Sequence, residues 1–169
     1  MLTNAHVVAG VTAPVVLAPN GQALSGRVTS FDPQRDLAVI TVTGLRADPL
    51  TIAASPAVGT TGVVAGYPFG GPFTEGGAKV VQTGSVAVPD VVGTGRTTRQ
   101  IAALAADVEQ GNSGGPLLSS DGRVLGIVFA KSTSQDDLGY AMTPGEFGGV
   151  VDRAPSLTAA VPTGSCSTD

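Results

Sequence analysis

His6 is the sole histidine of the 169-residue chain, so any mechanism that needs an imidazole base near neutral pH has one candidate. It lies in Leu2-Thr3-Asn4-Ala5-His6-Val7-Val8, read as an apolar strand end before Gly10, where a histidine taken alone is more readily a structural residue than a base. Gly111-Asn112-Ser113-Gly114-Gly115-Pro116 is more specific. A serine flanked by glycines lets backbone N–H groups converge where an oxyanion forms, because glycine permits the required backbone angles. The plain alternative is a glycine-rich turn with an incidental serine. Between the two features lie Asp32 and Asp36. Asp32, before Pro33, reads as a turn residue. Asp36 directly precedes the apolar run Leu37-Ala38-Val39-Ile40, where it can be buried against an imidazole, 30 residues after His6 and 77 before Ser113. Base, acid and nucleophile in that order define a serine-based acyl-transfer centre that calls for neither a metal nor an organic cofactor.

Gly111 to Gly115 also satisfies G-x-S-x-G, the nucleophile elbow of α/β-hydrolases, whose histidine follows the serine. No histidine follows Ser113, and no strands alternate with long amphipathic helices, so that reading fails on chemistry and on architecture.

The elements that must hold these residues are short and β-rich. Gly 24, Pro 12 and no Trp mean many turns between runs rich in Val and Ile. Strands are expected over 14–18, 22–31, 37–43, 61–66, 79–88, 98–104, 116–119, 123–130 and 139–142. Turns at Pro19-Asn20-Gly21, Asp32-Pro33 and Asp121-Gly122 separate them, and no internal repeat is found. The glycine-rich stretch Tyr67 to Gly77 divides the pattern into two β lobes, 1–70 and 71–154, with a tail over 155–169. One helix is expected from Pro144 to Arg153, weakened at Gly148 and Gly149 by about 1 kcal/mol each relative to alanine.

Hydrophobic residues at 42%, charged residues at 13% and a mean hydropathy of +0.28 exclude intrinsic disorder. A net charge of −4 without any basic cluster argues against nucleic-acid binding. The apolar runs fall far short of the ~18 residues that cross a bilayer. The N-terminus lacks the basic start, apolar stretch and cleavage site of a secretory signal. Cys166, in Pro162-Thr163-Gly164-Ser165-Cys166-Ser167-Thr168-Asp169, has no partner in the chain and no metal-ligand spacing, leaving a surface thiol or half of a disulfide whose other half lies elsewhere.

Thr3-Asn4-Ala5-His6-Val7-Val8, Asp32-Pro33 with Asp36-Leu37-Ala38-Val39, Gly111 to Pro116, and Leu138-Gly139-Tyr140-Ala141-Met142 together resemble the HtrA/Deg-like branch of the trypsin-like serine proteases, over residues 1 to about 144. With one cysteine behind that region and no PDZ-like segment after it, the chain is most similar to the MarP-type periplasmic proteases, which an N-terminal domain tethers to the membrane. The resemblance implies an all-β, chymotrypsin-like double β-barrel with a short C-terminal helix. His6 and Asp36 then belong to the first barrel and Ser113 to the second, with the active site in the cleft between lobes. The function implied is that of an extracytoplasmic serine endopeptidase acting on proteins or peptides. Ser113 Oγ attacks a peptide carbonyl as His6 takes its proton, and Asp36 fixes the imidazole tautomer. The N–H groups of Gly111 and Ser113 hold the oxyanion, a contribution of about 3 to 4 kcal/mol per donor.

The resemblance also exposes departures. Asn112 stands where digestive relatives carry the aspartate that receives a new N-terminal amine, so activation by that route lacks its acceptor. Ordering of the loop Phe69 to Gly77 is the alternative. Asp107, six residues before Ser113, matches the carboxylate that selects Arg or Lys. Leu138 protrudes into the same pocket, and Lys131, on the substrate-pairing strand Phe129-Ala130-Lys131, can neutralise Asp107, so basic and small or medium apolar specificities both stay open. Two strands that precede His6 in the family are absent, which implies a chain whose Met1 is internal to a longer protein that also holds the partner of Cys166. Two rivals follow: an impaired protease-like domain that only binds peptides by strand addition along 129–132, and an esterase using the same triad.

Overall fold

A computed structural model describes every residue except 92, 94 and 166–169. In chain order the elements are β1 (Leu2–Thr3), α1 (Ala5–Val8), β2 (Val15–Leu17), β3 (Ala23–Asp32), β4 (Leu37–Val42), β5 (Thr61–Gly66), β6 (Thr74–Pro89), β7 (Arg96–Ala105), β8 (Pro116–Leu118), β9 (Val124–Lys131), β10 (Leu138–Met142) and α2 (Pro144–Arg153). The chain divides into two compact units, one of residues 1–49, 89–97 and 149 onward, the other of residues 50–88 and 98–148.

In the first unit an antiparallel sheet runs in the order β1-β4-β3-β2. Along β3, Leu24, Gly26 and Val28 turn inward and Ala23, Ser25 and Arg27 outward, the period-2 pattern of a sheet with one wet face, which breaks at buried Thr29. Its pairing with β4 shifts between Val28 and Ser30. In β4, Leu37, Ala38, Val39 and Ile40 are all buried, which places the residue just before them, Asp36, at the edge of a core. That core joins Val8, Val16, Val28, Ala38 and Ile40. The C-terminal segment crosses it: Val161 N donates to Val28 O (3.0 Å) and Thr163 Oγ1 to Val11 O (3.1 Å).

The second unit holds a closed barrel, β10-β7-β6-β5-β8-β9. Val64, Val80, Leu104, Leu117, Leu125 and Val128 fill it, each contributed by the inward face of its strand. The all-β class with one short C-terminal helix at 144–153 is as expected from the composition and turn spacing.

Three local expectations are corrected. His6 lies on a short helix after β1 and not on a strand end. Thr74 to Gly77 are not loop: they pair in register with Gly66 to Val63 as the start of β6. Because β5 is thereby bound to β6 and also to β8, residues 61–66 belong with the barrel, and the first unit's leading stretch ends at Pro49 and not at 70.

Candidate active site

In the first unit, the β1–α1 corner and the β3–β4 turn bring His6 and Asp36 together. Asp32 starts that turn, its Oδ1 accepting the N–H groups of Gln34 (3.1 Å) and Arg35 (2.9 Å). Asp36 ends it in the left-handed region, φ +58, which a non-glycine residue rarely occupies and which aspartate tolerates better than most. Its carboxylate is buried and accepts three contacts from His6: the backbone N–H (3.0 Å to Oδ1) and ring Nδ1 (3.0 Å to Oδ1, 2.9 Å to Oδ2). Facing two carboxylate oxygens, Nδ1 carries the ring proton, so the lone pair lies on Nε2, the tautomer a general base requires. Asn4 supports the same residue at its main chain, its Nδ2 donating to Asp36 O (3.0 Å).

In the second unit, Ser113 sits half-buried on the turn between β7 and β8. The turn is held from both sides. Asn112, buried, accepts Glu109 N at its Oδ1 (2.8 Å) and donates its own N–H to Glu109 O (3.0 Å). Gly114 N donates to Val128 O (2.9 Å) and Val128 N to Gly115 O (2.9 Å), which ties the serine loop to β9. Phe69 N donates to Gln110 O (2.6 Å), and Gly115 N to Asn112 O (2.9 Å). With those two carbonyls engaged, the N–H groups of Gly111 and Ser113 have no backbone acceptor among the described residues. Gly111 has φ +99, and a Cβ there would strike the Tyr67 carbonyl, so both conformation and space demand glycine. Gly66 is needed for a similar reason: a Cβ would come within 2.6 Å of Asn112 Nδ2.

The expected specificity residues fall in the same unit. Phe129, Ala130 and Lys131 end β9, where Ala130 opposes Tyr140 and Lys131 opposes Gly139 of β10. On the other edge the β8 pairing stops at Ile127, so 129–131 have no strand partner there among the described residues. Phe129 packs against Tyr140 (6.4 Å between centroids) and beneath the guanidinium of buried Arg99 (5.8 Å). Leu138, half-buried, opposes Ala105. Asp107 is exposed. Lys131 Nζ does not contact it but pairs with Glu109 Oε1 at 2.7 Å. That hydrogen bond raises the Lys131 pKa above its ordinary 10.5, and the charges of Asp136 and Asp107 add to it at longer range. Glu109 was not singled out from sequence, although it is a carboxylate four residues before the serine. Cys166 lies outside the described residues. Among those residues no three His, Cys, Asp or Glu side chains converge to hold a metal ion, and no helix is long and apolar enough to cross a membrane.

The fold and these motifs define a peptidase class: residues 1–127 match the trypsin-like peptidase domain, and the chain belongs to that family. It is 40% identical to the serine protease Rv3671c of Mycobacterium tuberculosis strain H37Rv over 168 residues, 98% of this chain and 42% of that protein. It is 31% identical to the serine protease Do-like HtrA of Lactococcus lactis subsp. lactis, over 90% of this chain and 40% of the relative. The chain thus spans less than half the length of these curated relatives. Among solved structures, the active form of the Rv3671c protease superposes with a TM-score of 0.94 at 40% identity, covering 99% of this chain and 74% of that one. An inactive form of the same protease superposes less closely, at 0.79 over 94% and 78%. The HtrA-type protease AlgW with a decapeptide gives 0.79 at 26% identity, over 92% and 48%.

Proposed function

We propose that the chain is a serine endopeptidase domain in which Ser113 is the nucleophile, His6 the general base and acid, and Asp36 the residue that orients the imidazole. The observation that carries this reading is the His6 Nδ1 contact with the buried Asp36 carboxylate at 2.9 Å, which leaves Nε2 basic. In the reaction, His6 Nε2 takes the proton of Ser113 Oγ as the oxygen adds to the scissile carbonyl. The oxyanion is received by the N–H groups of Gly111 and Ser113, the tetrahedral adduct collapses to an acyl-enzyme as His6 protonates the leaving amine, and water repeats the sequence to release the acid. The open edge of residues 129–131 suits an extended peptide that adds as a strand. The cleaved position stays open to basic and to small or medium apolar side chains, because Lys131 is engaged by Glu109 and does not neutralise the exposed Asp107. The resemblance of its motifs to MarP-type periplasmic proteases extends the proposal to a place of action outside the cytoplasm, in the cell envelope.

A fluorophosphonate probe tests the assignment on the purified protein beside Ser113→Ala. Labelling that maps to the Ser113 peptide and vanishes in the variant is the expected result. No labelling of the wild-type protein, at probe concentrations that saturate a known serine protease, refutes it.

A further inference from the structure

We infer that Asn4 is a positioning residue for the His6–Asp36 pair, acting through the main chain of Asp36; the inference deepens the triad reading and rests on it for its catalytic meaning. Asn4 is the N-cap of α1, in extended conformation (φ −76, ψ 151), the place where an asparagine ordinarily accepts an N–H of the first helical turn with its Oδ1. It makes no such bond. The second helical residue, His6, instead donates its N–H to Asp36 Oδ1, so a carboxylate from the start of β4 caps the helix. Asn4 turns its amide the other way and donates from Nδ2 to Asp36 O at 3.0 Å. The opposite amide orientation would set two oxygens at that distance, so the donor assignment is unambiguous. Asn4 is fully buried, and its Oδ1 is left with no partner among the described residues. A side chain kept only to fill space would not leave a buried acceptor empty, since an apolar one of that size avoids the penalty. The amide is therefore explained by its one bond. That bond holds the carbonyl of a residue at φ +58, whose carboxylate reaches both the His6 N–H and the ring in this backbone state. The exchange is a clamp: Asp36 caps the helix that carries His6, and the residue displaced from capping pins Asp36.

Because His6 is the only histidine, its imidazole is read by NMR without assignment ambiguity. In the wild-type protein the clamp gives a hydrogen-bonded Nδ1 proton, and Asn4 side-chain amide protons that exchange far slower than those of an exposed asparagine such as Asn20. In Asn4→Ala the Nδ1 signal is lost or broadened, and kcat on a peptide substrate falls at least tenfold with KM changed less than twofold. The reference is Thr29→Val, which removes a buried hydroxyl bonded to Val39 O and Thr41 Oγ1 in the same sheet and touches neither His6 nor Asp36. It lowers Tm yet keeps the Nδ1 signal and kcat. Fast exchange of the Asn4 amide in the wild-type protein overturns the proposal whether or not the variant folds. So does an Asn4→Ala protein that matches Thr29→Val in both signal and kcat. If the wild-type Ser113 takes no probe while the imidazole signal still depends on Asn4, the triad reading fails and the clamp stands.

Discussion

Asp36 concentrates several demands on one residue. Its left-handed backbone costs about 1 to 2 kcal/mol against an ordinary strand conformation, and three hydrogen bonds to its carboxylate and carbonyl from His6 N, His6 Nδ1 and Asn4 Nδ2 oppose that cost. Asp36→Asn preserves the shape but can turn an N–H donor toward Nδ1. The imidazole then carries its proton on Nε2 and loses the lone pair that must take the serine proton. A loss of about 10^4 in kcat with retained fold is expected, as for the same exchange in triads of this order; steady-state kinetics with circular dichroism on the variant check it, and a loss under tenfold would remove Asp36 from the mechanism. The contact of His6 with Asp36 was legible because the chain has one histidine and Asp36 directly precedes an apolar run, whereas Ser113 stands out from the other serines by its glycine setting alone. The roles of Asn4 and Glu109 were not legible, because each depends on a partner 32 or 22 residues away that only the folded chain supplies.

At the scale of elements, most strands were legible from their Val and Ile content and their turns, and so was the helix at 144–153. The glycine-rich region was misread. Gly76 and Gly77 carry no side chains to signal alternation, yet β5 recruits them through backbone pairing alone, which no side-chain pattern reports. His6 was likewise assigned to a strand because four helical residues are too few to show a 3.6-residue period. The Asp121-Gly122 turn between β8 and β9 was read correctly, and its chemistry is measurable. Arg123, bonded to Asp121 through its guanidinium, and then the Ser119 hydroxyl pull the Asp121 carboxyl from its ordinary 3.8 to about 2. A folded pKa below the unfolded one favours the folded turn above pH 3.8, and the benefit fades as pH falls toward 2; the carboxylate is exposed, so the effect on stability is small. An NMR titration of the Asp121 carboxyl should give a midpoint near 2 in the wild-type protein and return toward 3.8 in Arg123→Ala. A midpoint already at 3.8 in the wild type would show the pair to be absent in solution.

For the molecule as a whole, the two sheets differ in how their edges are treated. The barrel of β5 to β10 closes on itself, so each of its strands has two neighbours. The sheet of the first unit is open: β1 and β2 are its outer strands, two and three residues long, each paired on one side only among the described residues. On β2, Val15 and Leu17 are 67% and 74% exposed, so this edge offers apolar side chains beside a strand with no second neighbour among the described residues. Short outer strands open locally at far lower free energy than strands paired on both sides, and an apolar edge invites pairing with another chain. Hydrogen exchange should therefore proceed at least about tenfold faster for the amides of β1 and β2 than for those of β5 and β9. Association that grows with protein concentration should fall in Val15→Lys, because a charge on an outward-facing edge position repels a second copy without entering the core. Sedimentation velocity on the two proteins reads the second effect. Equal protection across both sheets, together with unchanged association in the variant, would mean that the β2 edge is covered in solution by a partner strand.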